Sequence, residues 1–288
     1  MKYFLLLLLS FPAFGITFPE YLEAKKKNIS HERHLPYLLY HGHKTEKSVL
    51  LIHGIFSSPL YFKGMAKVFF DRGYNVVTII LPGHWEKDWY RMGKMDSKEW
   101  SREADIGWEL AKQYGDKVIL AGHSLGSLLN IEQSMKRDPE EIHGMVMLSP
   151  AVRLNWPTIL SGKAGEQFNI TGNHFVFQKP DGIQVPDFNP RAAQLIRETQ
   201  IRVLKKPVTV PYYMAYTWAD PVLDVPGLIR YFNRYPINRQ VSYFGLFSGV
   251  YHNSISQSPE DFLTQTTANG NPYFHGMMKD ALDFIESL

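Results

Sequence analysis

The chain has no cysteine among its 288 residues, which excludes disulfides and a lipid-modified N-terminal cysteine. Charge of one sign is scarce as well. A formal net charge of +3, with no basic block longer than Lys25-Lys26-Lys27, gives no footing for nucleic-acid binding. Internal repeats, low-complexity tracts and heptads are missing, and no apolar run is long enough to cross a bilayer. Neither an H-E-x-x-H pattern nor a carboxylate cluster occurs, so no metal site is expected. What is there is ample apolar material. Hydrophobic residues make up 44% and charged residues 20%, which suits one large domain with room for an insertion.

The first residues read as an address rather than as fold. Met1-Lys2 is a short positive start, residues 3–9 are apolar, and Ala13-Phe14-Gly15 sets small residues before Ile16. Residues 1–15 are therefore expected to be a signal peptide. An exported protein without disulfides points to a periplasmic or secreted location, with a bacterial envelope as the expectation.

Beyond a weak signal over 16–47, with one short strand at 35–40, strands and helices alternate. Strands are expected at 48–54, 74–81, 117–123 and 145–149, the last two separated by a helix at 124–137. Helices are expected at 59–72 and 97–114 between the earlier ones. Unbroken apolar strands alternating with helices predict an α/β fold, a mostly parallel sheet with helices on both faces. The alternation breaks at 151–206, a stretch rich in glycine and proline with one clear helix at 191–204. So long an irregular segment is read as a cap or lid inserted in a core of 16–150 and 207–288. A strand at 208–216, a helix at 226–235, a strand at 241–247 and a helix at 272–288 complete the chain.

The rest is organised around residues 118–130. Four apolar residues run into Gly122-His123-Ser124-Leu125-Gly126, and a helical segment follows. This is G-x-S-x-G in the strand, turn and helix setting that the pattern needs. The glycines relieve crowding around a strained turn, Ser124 Oγ projects, and the helix start favours an anion. A nucleophilic serine needs a base, a group to orient the base, and donors for the oxyanion. Each has a candidate just after an expected strand, and such strand ends share one edge of a parallel sheet. His252 is the base, with Gly249 freeing its loop and His275 as the rival. Asp220, before Pro221 and Val222, is the acid; Asp224 is its rival or else a helix cap. Leu125 N–H and Ile55 N–H are the expected oxyanion donors, with Phe56 replacing Ile55 if its loop winds one residue further. His53 and His123 end strands beside glycines and are read as structural histidines.

These residues carry a resemblance. Leu51-Ile52-His53-Gly54-Ile55-Phe56-Ser57-Ser58-Pro59, Leu81-Pro82-Gly83-His84, Gly122 to Gly126, Ala219-Asp220-Pro221-Val222 and His252 resemble the α/β-hydrolase superfamily. Within it the chain is similar to the monoacylglycerol lipase, lysophospholipase and carboxylesterase group. The resemblance implies an α/β-hydrolase fold, a cap after the fourth strand and an oxyanion amide at Ile55. It also implies ester cleavage through Ser124, His252 and Asp220, with no cofactor. The expected partner is a small-molecule ester, lipid-like or short-chain, met in transient contact with a membrane surface. Trp156, Phe168, Phe175 and Phe177 favour an apolar acyl site or else anchor the cap. A peptidase of the same superfamily, or a hydrolase-like binding protein without turnover, remains an alternative. The sequence departs from the group at Ile55 and at Pro82-Gly83-His84-Trp85, which bears on substrate choice.

Overall fold

A computed structural model describes residues 15–88, 90–160, 176–178, 184–186, 190–235, 237–256, 258 and 270–288. Residues 1–14 of the expected signal peptide, and Phe168 and Phe175 of the expected cap, lie outside these. The strands are β1 Leu38–Leu39, β2 Thr45–Ile52, β3 Asn75–Ile79, β4 Gly115–His123, β5 Ile142–Leu148, β6 Val176–Gln178, β7 Gln184–Pro186, β8 Tyr212–Thr217 and β9 Arg239–Phe244. The helices are α1 Phe18–Asn28, α2 Lys63–Asp71, α3 Arg91–Lys94, α4 Lys98–Tyr114, α5 Leu125–Lys136, α6 Pro190–Val203, α7 Val225–Phe232 and α8 Phe274–Glu286.

Seven strands form one sheet in the order β1-β3-β2-β4-β5-β8-β9. All neighbours are parallel except β1, which runs antiparallel to β3. The apolar runs follow from this. Every residue of β3 is buried, as are residues 48–52 of β2, because helices cover both faces. The period of two sorts each strand between two cores. Leu50 and Ile52 face Trp100, Ala104 and Trp108 of α4 together with the leucines of α5. Val49 and Leu51 face Met65 and Phe69 of α2 together with Phe274 and Met278 of α8. Each such large side chain contributes roughly 1.5–3 kcal/mol by leaving water.

The structure moves several expected boundaries. A 3-10 turn, Pro59–Phe62, precedes α2 where one helix was expected, and β1 keeps only two residues. Strand β8 starts at Tyr212 rather than at 208, since Pro211 has no N–H to give the ladder. Helix α1 falls in the weak-signal region. The Glu20 carboxylate accepts from Thr17 N–H at 2.9 Å and Thr17 Oγ1 at 2.7 Å, which starts it. Tyr21 and Lys25 then tie it to Glu103 of α4, at 2.6 and 2.7 Å. Between neighbours β5 and β8 the chain departs from the sheet, and β6 pairs with β7 there as a separate antiparallel ribbon.

Candidate active site

The turn from β4 to α5 puts Ser124 at φ 51°, a conformation that L-residues rarely adopt. Its backbone is held from three sides. Ser124 N–H donates to Leu148 O of β5 at 2.9 Å, and Ser124 O accepts from Leu128 N–H and Ala151 N–H, both at 3.1 Å. Such surrounding bonds are what keep a strained residue in place. The flanking glycines serve a close approach. A Cβ on Gly126 would collide with Ile52 O at the end of β2, and one on Gly122 would lie 2.8 Å from the Gly126 carbonyl carbon. The crowding is therefore against β2 and α5, more than against the serine itself.

Three strand ends converge on this turn. Ser124 Oγ lies 2.9 Å from His252 Nε2, and His252 Nδ1 lies 2.6 Å from Asp220 Oδ2. Asp220 Oδ1 accepts from Val222 N–H and Leu223 N–H, each at 2.9 Å. The Asp220 side chain is 0% exposed and Ser124 is 1% exposed. Burial pushes the Asp220 carboxyl up, but the bond to His252, its charge and the two amides outweigh this. The net result holds it below the ordinary carboxylate value. Asp224 stands apart, capping α7 through Gly227 N–H at 3.0 Å and pairing with Arg153 at 2.8 Å. His275 sits in the first turn of α8, edge-on to Phe274.

The loop after β2 reaches the same place. Ser57 N–H closes a turn on Gly54 O at 3.3 Å, and Phe56 takes φ 56°. A Cβ on Gly54 would lie 2.8 Å from His123 Nδ1 and 3.2 Å from Ser124 Cβ, so the Gly54 backbone rests against the serine. Ile55 follows directly. Leu125 is the first residue of α5, where an N–H has no acceptor inside the helix. The four non-glycine residues at positive φ among those described are Phe56, Trp85, Ser124 and Ser149. They follow β2, β3, β4 and β5 in turn, so backbone strain gathers along one edge of the sheet.

With this geometry in view, the comparisons with known proteins agree with one another. The alpha/beta hydrolase family matches residues 49–266. The chain belongs to that family. Phospholipase YtpA of Bacillus subtilis (strain 168) is 28% identical to this hydrolase over 106 residues. That match covers 37% of the chain and 41% of the relative, so it spans less than half of the relative's length. Two solved structures share the fold. One is described as LipS and LipT, two metagenome-derived lipolytic enzymes, with TM-score 0.66 and 19% identity over 88% of this chain and 97% of that one. The other is a Paleococcus ferrophilus monoacylglycerol lipase, with TM-score 0.64 and 18% identity over 88% and 98%.

In this hydrolase three further buried histidines, His53, His84 and His123, hold loops. His53 Nδ1–H donates to Gly54 O at 2.8 Å and Nε2 accepts from Leu81 N–H at 3.0 Å, which ties the loops after β2 and β3. His84 Nδ1–H reaches Leu81 O and Pro82 O at 3.2 and 3.1 Å, and burial pushes its pKa to about 4. His123 Nε2–H donates to His252 O at 2.7 Å; burial first, then the charge of His252, lowers it to about 3. Neutral His123 thus anchors the backbone of the residue facing Ser124. Thr217 Oγ1 anchors the same loop, donating to Val250 O at 2.7 Å. Sequence reasoning passed over Thr217; its place at the end of β8, three residues before Asp220, was the available signal.

Proposed function

We propose that this chain hydrolyses carboxylic esters, with Ser124 as nucleophile, His252 as general base and acid, and Asp220 orienting His252. The observation carrying this reading is the unbroken line from Ser124 Oγ through the His252 ring to the buried Asp220 carboxylate, at 2.9 and 2.6 Å. Asp220, held ionised, accepts a hydrogen bond from His252 Nδ1–H, so Nε2 presents its lone pair to the Ser124 hydroxyl. Attack on the ester carbonyl passes that hydroxyl proton to Nε2 and forms a tetrahedral oxyanion. Leu125 N–H and Ile55 N–H are the donors assigned to it, each contributing roughly 3–4 kcal/mol at the transition state. The imidazolium gives its proton to the departing alcohol oxygen, and water then repeats the sequence on the acyl-enzyme.

Names among the relatives, a phospholipase, lipolytic enzymes and a monoacylglycerol lipase, support a lipid-like or short acyl ester as substrate. Residues 151–206 serve in this reading as the lid, which brings the site into transient contact with a membrane surface. Residues 1–15 direct export to the periplasm or medium; N-terminal sequencing of secreted protein is expected to start at Ile16. The deciding experiment is labelling of the mature protein with a fluorophosphonate, followed by p-nitrophenyl esters of rising chain length. Wild type is expected to label and Ser124→Ala to fail. Equal labelling of both would end the proposal, and an optimum confined to acetate would end its lipid part.

A further inference from the structure

A cavity lies beside the candidate site without including Ser124 in its lining. It encloses about 870 Å³, within the ~300–1,000 Å³ range of small-molecule sites. Ser124, Leu125 and Ile55 are absent from its lining, and it meets the centre described above only at Asp220. Val152, Leu154, Ile159, Leu204, Leu223 and Val225 give it apolar walls. Trp156, 66% exposed, and Trp218 add aromatic surface.

The charges on this lining are unbalanced in a specific way. Asp224 is matched by Arg153 and by the Gly227 amide, and Asp220 is turned to His252 and its own turn amides. Arg197 and Lys205, both exposed, have no ion-pair partner among the described residues. Together with Ile201 they recur every fourth residue along and just past α6, so cation, aliphatic side chain and cation share one face. Gln200 Nε2 fixes that helix to Ala151 O at 2.7 Å. An apolar chamber with two uncommitted cations on one wall suits a ligand with one hydrocarbon chain and one negative end.

We propose that this cavity binds the anion of a medium-chain fatty acid, at a site separate from Ser124. Another part of the lining is where Arg153–Asn155 meets Val222–Asp224, through Asn155 N–H to Val222 O at 2.9 Å and Asp224 N–H to Arg153 O at 3.0 Å. Val222 and Leu223 are also the amides that hold Asp220, so the ligand rests on the turn that carries the acid. A fatty-acid anion is what cleavage of an acyl ester releases, so the cavity would sense product. That last link rests on the ester-hydrolase reading; the binding itself does not.

The test is calorimetry on full-length mature Ser124→Ala protein, titrated with decanoate and with 1-decanol below the concentrations at which they self-associate. Decanoate is expected to bind saturably and more tightly than decanol. Arg197→Ala/Lys205→Ala is expected to weaken decanoate by about tenfold or more, the scale of one lost charge-assisted hydrogen bond, and to spare decanol. Both positions are exposed, and an unchanged thermal melt will show that the variant folds. Wild type phosphonylated at Ser124 by a small methylphosphonate should still bind decanoate. Absence of saturable binding, equal affinity for the alcohol, indifference to the double variant, or loss of binding on phosphonylation would each overturn the proposal. Failure of wild type to react with the phosphonate would instead strike the ester-hydrolase reading, and leave the Ser124→Ala titration standing.

Discussion

At the scale of single residues, the two aspartates separate cleanly. Asp220→Asn keeps the shape of the turn but takes away the acceptor for His252 Nδ1–H, leaving the wrong tautomer toward Ser124. Turnover of a p-nitrophenyl ester is expected to fall by about three to four orders of magnitude. Asp224→Asn leaves a side chain that still caps α7 and loses ion pairs with the exposed Arg153 and Arg230, so turnover should stay within about twofold. The reverse ranking would transfer the acid to Asp224. The histidines make a second residue-scale prediction, about pH. His84 titrates near 4 and His123 near 3 in the fold, both below the 6.5 of an unfolded chain. Between those values the unfolded state binds more protons, so stability rises with pH and is lost as pH falls below 6.5. The His84 shift alone corresponds to a loss on the order of 3 kcal/mol once pH drops below 4. Urea midpoints should therefore fall between pH 7 and 4.5, and His84→Gln should flatten part of that slope; an unchanged slope would assign it elsewhere. The structural parts played by His53 and His123 were legible from their places beside glycine at strand ends; that of His84, five residues past β3, was not. Their partners were not, because His123 bonds to a carbonyl 129 positions away in sequence.

At the scale of elements, the parts with regular apolar periods could be read directly. Strands β2 to β5 and helices α4 and α5 appear within a few residues of their expected ends, since nearly every residue in those strands is buried. Helix α1 was illegible by the same logic. Only Phe18 and Tyr21 of its eleven residues are buried, so it carries no amphipathic stripe. Its start signal, Thr17-Phe18-Pro19-Glu20, was the readable part. What keeps it in place is polar: Tyr21 OH donates to Glu103 and accepts from Ile80 N–H at 3.2 Å. Tyr21→Phe leaves that amide and that carboxylate short of a partner in a buried setting, and should cost about 1–3 kcal/mol in a thermal or urea melt. A loss under half a kcal/mol would mean that water takes the place of the phenol. The β4–α5 junction makes a harsher prediction. Gly126→Ala puts a methyl group into the Ile52 carbonyl, so the chain is expected to be insoluble or inactive toward fluorophosphonate. Soluble, fully reactive Gly126→Ala protein would show that α5 can shift off β2.

At the scale of the whole molecule, the sheet order explains why distant stretches converge. Strands β2, β4, β5, β8 and β9 run parallel, so the loops leaving β2, β4, β8 and β9 open on one edge and bring Ile55, Ser124, Asp220 and His252 there. That convergence was readable because each candidate followed an apolar run ending in a turn. The insertion expected at 151–206 rests on a loss of pattern, and a loss of pattern does not specify how a segment packs. The same order bears on how the protein is made. The sheet grows outward from β2 as the chain emerges, and its last strand, β9, immediately precedes the loop bearing His252. Ser124 and Asp220 can take their places while the chain is still unfinished, but His252 cannot, since His123 and Thr217 wait for carbonyls at positions 252 and 250. Synthesis thus imposes a time lock. Nascent chains stalled short of Val250 should ignore a fluorophosphonate, and reactivity should switch on only when the segment bearing His252 has cleared the ribosome.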